Sequence, residues 1–447
     1  MFHRVTGIFL VLVSLLLACQ PGKELLTYTD AVAPIIHEKC SPCHVNNEAA
    51  PFELLNVEDI TRRHKLIRYL ITNRIMPPWP ADPSYSHFAN ELYMSDEDIA
   101  TVIAWMDQGM LPGDTAVRYT ANALRSEYEL GKPDMIVKVP PVLIPGNNTD
   151  LFLVMKIPLE LPQDTFIRAI EFIAGNKKLV HHVNTHLVCF DEGKKNTLEV
   201  GKVWVNQDQA NSQQLHRDLG LLHDDGTYPL MTPSVSNYLP GSLFSAYPGN
   251  IGGYRISKKS AFYLNDFHYG PSPVDATDSS YYKIYFDNKP PQREVKEFQM
   301  GTLGISPVEP ELIIPANEVK SFHIKAVMPE DISLLTLIPH MHLIGKEFLA
   351  FAVKPSGDTI PLIRINNWDF RWQYFYQCKT LIYLPRGTTI YVHGVFDNTV
   401  HNPNNPFDPP REIRDREGSM RTTDEMFQFI VTYVPYQKGD EEIEVNR

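Results

Sequence analysis

Hydrophobic and polar residues follow two different periods along the chain, and the change from one to the other falls near residue 130. Before that point apolar positions recur at helical spacing. The stretch "TYTDAVAPIIHEKC" places Val32, Ile35 and Ile36 on one face behind a cap at Thr29 or Asp30, which predicts a helix.

The stretch "MSDEDIATVIAWMDQG" predicts a second helix, which begins after Ser95 and stops at Gly109. Asp98 lies three residues after Ser95, the spacing of a capping box. The apolar stripe that follows would face a core; it consists of Ile99, Val102, Ile103 and Met106.

Beyond residue 130 short alternating segments predict strands. Examples are "FIRAIEFIAG", "LVHHVNTHLVCF" and "TTIYVHGVFDN", and "KPSGDT" at 354–359 predicts a hairpin turn. About 300 residues of this pattern, interrupted by prolines and charges near 287–297, predict two all-β sandwiches of jelly-roll type, and no helix-length periodic stretch is evident among them.

Composition narrows the function classes. A chain of 447 residues predicts two to four domains, and 43% hydrophobic with 21% charged residues is typical of globular proteins. The formal net charge of −12, without any Lys/Arg-rich run, argues against a nucleic-acid partner.

The N-terminus predicts export. An apolar stretch from Ile8 to Ala18 follows Arg4 and is too short to span a membrane. It ends in "LLAC", which resembles a bacterial lipobox, so Cys19 is expected to be lipidated; an ordinary secretory signal is the alternative. We expect an exported chain, held at a bacterial cell-envelope membrane by its lipid anchor only.

"CSPCH" carries the strongest chemical signal. Cys40, Cys43 and His44 form the C-x-x-C-H pattern of covalent haem attachment, in which the thiols bind the haem and the histidine ligates iron. A zinc half-site would require a second ligand pair nearby, and none follows in the sequence. A redox dithiol would not require the adjacent histidine. The remaining thiols, Cys189 and Cys378, could bridge or stay free and buried.

The two predicted helices around this motif resemble those of class I cytochromes c over residues 28–112. The sixth iron ligand is then expected on the intervening loop. Met76 in "RIMPPWP" is the favoured residue, Met94 is its rival, and Met106 belongs to the helix stripe.

Histidines cluster in both predicted sandwiches. On a strand, residues i and i+2 share a face, so His340 and His342 in "IPHMHL" would point the same way, with Met341 facing the other side. In "HHVNTH", His182 and His186 share a face, whereas His181 could join His182 only at a strand end or bulge. Spacing alone leaves that choice open. Few acidic residues stand beside the clusters in sequence, and imidazole-rich sites favour copper or zinc.

Four motifs in order, "VHHV", "HYG", "HMHLIGK" and "TDEMFQF", resemble the copper type II, ascorbate-dependent monooxygenases. The resemblance covers about residues 135–436 and implies two β-sandwiches, each with one copper ion, across a solvent-filled cleft. It implies that one copper is held by His181, His182 and His268. It implies that the second, catalytic copper is held by His340, His342 and Met426.

Departures from the family limit the substrate. Peptide-processing members have an arginine two residues before the His-x-His pair, where this chain has Ile338. They also have a tyrosine four residues after the methionine ligand, where this chain has Ile430. A peptide carboxylate would therefore lack its anchors, and the organic substrate stays unidentified.

The sequence thus predicts an exported monooxygenase that uses O2, two copper ions and a covalent haem c, fed by a periplasmic or surface electron donor. The alternatives are a haem and copper electron-transfer or metal-binding lipoprotein without hydroxylase activity, and a surface adhesion or carbohydrate-binding module with structural histidines. The predicted organisation is a signal peptide (1–19), an all-α cytochrome c-like domain (28–115), a linker (116–135), two sandwiches (136–290 and 291–436) and a tail (437–447).

Overall fold

The computed structural model describes residues 25–445 except 46–47, 49, 115–129, 208–210, 233, 242–244, 248–250, 252, 288–289, 291–292 and 417–420. The predicted signal peptide with Cys19, and most of the predicted linker, lie outside the described residues. Within the described part of the chain, no helix is long and apolar enough to cross a membrane.

Helices dominate the first part of the described chain. A π-helical turn over Tyr28–Val32 leads into α1 (Ala33–Lys39), and α2 (Val57–Thr72) and α3 (Asp96–Asp107) follow. They pack around a small core that contains Val32, Ile60, Met94 and Trp105. Ser95 and Asp98 form the predicted capping box, whereas the first turn is capped by Thr27 and not by Thr29 or Asp30.

Helix α2 was not predicted. Asn56 caps it by accepting from the Asp59 backbone N–H. Its buried residues, Ile60, Ile67 and Ile71, are separated by charged residues, so the apolar stripe is thin and the pattern is easily missed.

The next described strands form a sandwich of two antiparallel sheets around one core. The first sheet has the order β1-β13-β4-β10, with β9 beside β4, and the second has the order β6-β3-β11-β5-β7, with β8 beside β5. The strands are β1 (Met135–Lys138), β2 (Val142–Ile144), β3 (Leu151–Glu160), β4 (Thr165–Ile173), β5 (Val180–Cys189), β6 (Trp204–Asn206), β7 (Leu230–Met231), β8 (Ser236–Tyr238), β9 (Ser245–Ala246), β10 (Tyr254–Ile256), β11 (Lys259–Tyr269), β12 (Ala276–Asp278) and β13 (Tyr281–Phe286). A short helix, α4 (Ser212–Asp218), packs outside the second sheet; at two turns it is too short to give a helix-length periodic stretch in the sequence.

The later strands form a second sandwich, with sheet orders β14-β23-β17-β20 and β16-β21-β18-β19. The hairpin expected at 354–359 is confirmed, since β18 and β19 pair antiparallel there. The strands are β14 (Lys296–Gly301), β15 (Ile313–Ile314), β16 (Val319–Val327), β17 (Ile332–Met341), β18 (Gly345–Val353), β19 (Thr359–Ile365), β20 (Tyr376–Leu384), β21 (Thr389–Asp397), β22 (Ile413–Arg414) and β23 (Phe427–Pro435), and a 3-10 turn follows at Asp440–Glu442.

The two sandwiches pack directly against each other. Leu335, Leu381 and Val434 of the second sandwich are buried in the core of the first. Beside this contact, Arg293 donates to both carboxylate oxygens of Asp440 at 2.7 and 3.0 Å in a buried ion pair. Ser333 donates to the same carboxylate at 2.6 Å, which satisfies the charge further.

The segment between α2 and α3, residues 76–94, is bound to the second sandwich and is called the docking segment below. Ala81 and Phe88 are buried in that sandwich's core. Asp82 accepts from Arg364 at 2.9 Å and from Asn366 at 2.8 Å. The helices are therefore fixed to the β-structure by a loop that contributes side chains to its core.

Candidate metal centres

Strands β5 and β11 place the first histidine cluster at the end of a sheet. His182 and His268 are directly opposite each other in the antiparallel ladder. The register shifts on both sides of His268, so His181 has no partner of its own, and Asp266 adopts a left-handed backbone with φ 52°. A bulge at His181, the condition that joint ligation with His182 required, is thus present.

The imidazole rings in this cluster are close together. The ring centroid of His268 lies 4.6 Å from that of His181 and 5.0 Å from that of His182. Among the described residues, possible ligand atoms of Asp150, His181 and His268 all lie within 4.8 Å of one another. His182 is not in that tightest group.

Carboxylates hold two of these rings. His182 Nε2–H donates to Asp266 at 2.8 Å, and His268 Nε2–H donates to Asp150 at 2.7 Å. A carboxylate on one ring nitrogen fixes the tautomer and leaves the other nitrogen, here Nδ1, as a ligand, which is the usual arrangement around protein-bound metals.

Space for His181 comes from Gly270. A Cβ built on Gly270 would lie 2.5 Å from His181 Nε2, so only glycine lets this ring take its position. Phe152 stacks on His268 with 4.2 Å between ring centroids. His186 is separate from the cluster: its Nδ1–H donates to the Thr232 carbonyl at 2.9 Å and its ring packs on Tyr263.

Strand β17 carries the second cluster at its C-terminal end. The ring centroids of His340 and His342 are 5.0 Å apart, while Met341 between them points into the sandwich core, as the alternation predicted. Met341 pairs with Phe427 of β23, so the buried Met426 comes next to His342. The Nδ1–H of His340 donates to Gln373 and that of His342 to the Asp424 carbonyl at 3.0 Å, so Nε2 would be the ligand atom of each ring.

Glu425 holds the backbone around the second cluster. Its carboxylate accepts from the N–H groups of His342 at 2.9 Å, Ile344 at 3.0 Å and Met426 at 3.1 Å. Burial raises the pKa of Glu425 to about 8, against the effect of these three donors. One side chain thus fixes two of the candidate ligands relative to each other.

The ring of Phe370 lies between the clusters. Its centroid is 6.1 Å from that of His182 and 5.7 Å from that of His342, nearly perpendicular to both. Gln373 fixes this turn, since its amide donates to the Phe370 carbonyl at 2.9 Å while its oxygen accepts from His340. The histidine clusters of the two sandwiches therefore face each other across one aromatic side chain.

Burial keeps His268 and His340 neutral. It lowers the pKa of His268 to about 4, helped by the neighbouring His182, and that of His340 to about 3, helped by His342. Burial alone would raise the pKa of Asp266, but the imidazoles of His182, His268 and His342 together lower it. Neutral imidazole, as at His268 and His340, is the form that binds a metal cation.

The C-x-x-C-H motif follows α1 directly and is packed against the first sandwich. His44 Nδ1–H donates to the Phe52 carbonyl at 2.9 Å, leaving Nε2 free, and Cys40 and Cys43 are free thiols. Cys43 Sγ lies over Gly241, where a Cβ would come within 2.2 Å of it, and Glu48 forms an ion pair with Lys177.

The two methionines considered as ligands of the haem iron differ in their burial. Met94 is buried in the core of the helices, whereas Met76 is half-buried at the start of the docking segment. Met106 is buried in the helical core, as predicted. Cys189 and Cys378 are buried free thiols, one in each sandwich core.

The acidic residues were missed from sequence, and the statement that few stand beside the clusters is wrong. Asp150 is 118 positions from His268 in the chain, so only strand pairing brings them together. Asp266, two residues before His268, and Glu425, directly before Met426, were visible signals, but nothing in their spacing shows that they would turn towards the histidines.

No protein-family model matches the chain, and no curated protein matches it. Among solved structures, that of Broad Bean Stain Virus is 8% identical, covering 67% of this chain and 88% of that chain with a TM-score of 0.20. A structure of the infectious bursal disease virus Gx strain is 9% identical, covering 72% of this chain and 75% of that chain, with a TM-score of 0.17. A structure of Sulfolobus Turreted Icosahedral Virus is 12% identical, covering 61% of this chain and 90% of that chain, with a TM-score of 0.18. Likeness at this level carries no argument about fold or function.

Proposed function

We propose that this protein is an exported copper-dependent monooxygenase that hydroxylates a C–H bond of an organic substrate with O2, with electrons relayed by a covalent haem c. The observation that carries the proposal is the meeting of two histidine clusters, one from each sandwich, across Phe370. A reaction that needs two electrons is served by two one-electron sites at short range.

The donor sets fit copper. In the described structure four of the five clustered histidines, His182, His268, His340 and His342, have one ring nitrogen hydrogen-bonded and the other available. Imidazoles suit both Cu(II) and Cu(I), and a thioether such as that of Met426 favours Cu(I). Bound copper would supply one-electron transfer at the first cluster and dioxygen activation at the second.

The chain's own residues have separate tasks in this scheme. Asp150 and Asp266 hold protons on the Nε2 atoms of their histidines, and Gln373 orients His340. Glu425 keeps His342 and Met426 in register, and Phe370 reduces the water between the clusters. Each of these contacts pre-organises a ligand and so lowers the cost of reorganisation on metal binding and turnover.

The residues of "CSPCH" fit haem c. The free Nε2 of His44 can ligate iron from one side, and Cys40 and Cys43, which are not bridged to each other, lie on the turn that leads to it. The resemblance of residues 28–112 to class I cytochromes c supports this part of the proposal. The haem would supply single electrons from an envelope donor, and lipidation at Cys19 would keep the protein at the membrane.

The test is the metal and haem content of the full chain made with haem-maturation machinery. After exchangeable surface copper is removed with a chelator, we expect one haem and two coppers, with one copper lost in His342→Ala and in Met426→Ile. His186→Ala is the matched control, because His186 lies in the same strand as His182 but outside the cluster. Copper below one per chain after reconstitution would overturn the proposal. Two coppers without substrate-dependent O2 consumption across C–H substrate panels would favour the electron-transfer alternative.

A further inference from the structure

The outer face of the second sandwich carries another histidine pair, which belongs to neither cluster. His323 in β16 and His393 in β21 are directly opposite each other in the antiparallel ladder. Their ring centroids are 4.7 Å apart, and the two Nδ1 atoms approach to 3.1 Å. The flanking residues Phe322, Ile324 and Val392 are buried, so strand alternation sends both imidazoles outward.

The nitrogen separation equals the bite of a chelate. With metal–nitrogen bonds of about 2.0 to 2.1 Å, two ligands at a right angle are about 2.9 Å apart, and two at the tetrahedral angle are about 3.3 Å apart. The value of 3.1 Å between the Nδ1 atoms lies between these limits. An ion can therefore replace the single N–H···N hydrogen bond with little movement of either ring.

A third donor stands next to the pair. Glu309 pairs with His323 as a one-residue bridge on the side away from His393, so its side chain lies on the same face. Its carboxylate is 61% exposed and contacts only Lys325 at 3.8 Å among the ion pairs of the described chain, so it can turn towards an ion. His323 is exposed and His393 half-buried, which keeps the position open to solvent.

We propose that His323 and His393 form a surface chelate for a divalent transition metal that accepts imidazole, such as Zn(II), Ni(II) or Cu(II), completed by water and Glu309. The site lies on the sheet opposite the one that carries His340 and His342, and it does not depend on the monooxygenase proposal. Carboxylate and imidazole ligands with open positions make such a site exchangeable.

The test uses Zn(II) and equilibrium dialysis of the full chain at pH 7.5. We expect His323→Ala and His393→Ala each to bind one zinc fewer per chain than the unsubstituted protein. The zinc affinity of the site should fall at least about tenfold, because even changes to residues around the ligands of metal sites cost 10- to 100-fold. His401→Ala, at an exposed histidine of the same sandwich, should leave the count unchanged.

The double variant separates chelation from independent weak binding. A lone imidazole does not chelate, so His323→Ala/His393→Ala should behave like either single variant. Melting of the protein without metal should change little, whereas the zinc-induced rise in Tm from this site should disappear in all three variants. An unchanged zinc count in either single variant, or an equal loss in His401→Ala, overturns the proposal.

Discussion

At the residue scale, the position of His181 in the first cluster requires glycine at position 270. Gly270 has no Cβ, and a methyl group there would meet the His181 ring at 2.5 to 3.2 Å. We expect Gly270→Ala to fold but to displace His181, because the ring can rotate away more easily than the strand can shift. Copper at the first cluster should then bind at least about tenfold more weakly, measured by competition with a chromophoric chelator.

A double-mutant cycle tests the cause. If Gly270→Ala acts only by moving His181, adding it to His181→Ala should have no further effect on copper affinity. A further loss in that background would show that the substitution disturbs the strand itself, and the assignment of His181 would lose this support.

At the element scale, the docking segment joins the helices to the second sandwich through Asp82. Asp82→Ala removes hydrogen bonds from Arg364, Asn366 and Ser84, and we expect it to cost about 1 to 2 kcal/mol locally. Hydrogen exchange at Ala89, whose N–H donates to the Gln377 carbonyl, should then quicken about tenfold. Asp358→Ala, in an exposed turn of the same sandwich, should leave this rate unchanged.

The pH dependence of this docking follows from the same contacts. Partial burial acts to raise the pKa of Asp82, but hydrogen bonds from Ser84, Asn366 and Arg364 outweigh it and lower the pKa to about 2 from 3.8. A lowered carboxylate pKa gives stability that is complete above 3.8 and lost as the pH falls towards 2. The protection factor of the Ala89 amide, which corrects for the intrinsic pH dependence of exchange, should therefore stay constant from pH 7 to about 4. A loss of protection near pH 6 would contradict the assignment.

Elements also show how far sequence reasoning reaches. Alternation placed Met341 inward and the "KPSGDT" hairpin correctly, because local periodicity decides which face a residue takes. The docking segment could not be predicted, since its proline-rich sequence has no period and its partners are about 280 residues away. Asp150 was missed for the same reason, as its role depends on the pairing of β3 with β11.

At the scale of the whole molecule, the distance between the two clusters is set by the packing of the sandwiches. Leu335, Leu381 and Val434 are buried in the core of the first sandwich, so this part of the interface is apolar and should be rigid. Phe370 fills the remaining gap but contributes no ligand. Its ring should therefore control the hydration between the clusters and not their separation.

Phe370→Ala distinguishes these roles. Because burial lowers the pKa of His342, admitting water in place of the ring should raise that pKa towards the ordinary value in metal-free protein, measured by NMR titration of the imidazole C–H signals. With both sites loaded, the Cu(II)–Cu(II) distance from pulsed dipolar EPR should stay the same. Phe370→Leu, which retains apolar volume, should give a smaller pKa change. A broadened or longer distance distribution in Phe370→Ala would instead make the ring a spacer on which the relative position of the sandwiches depends.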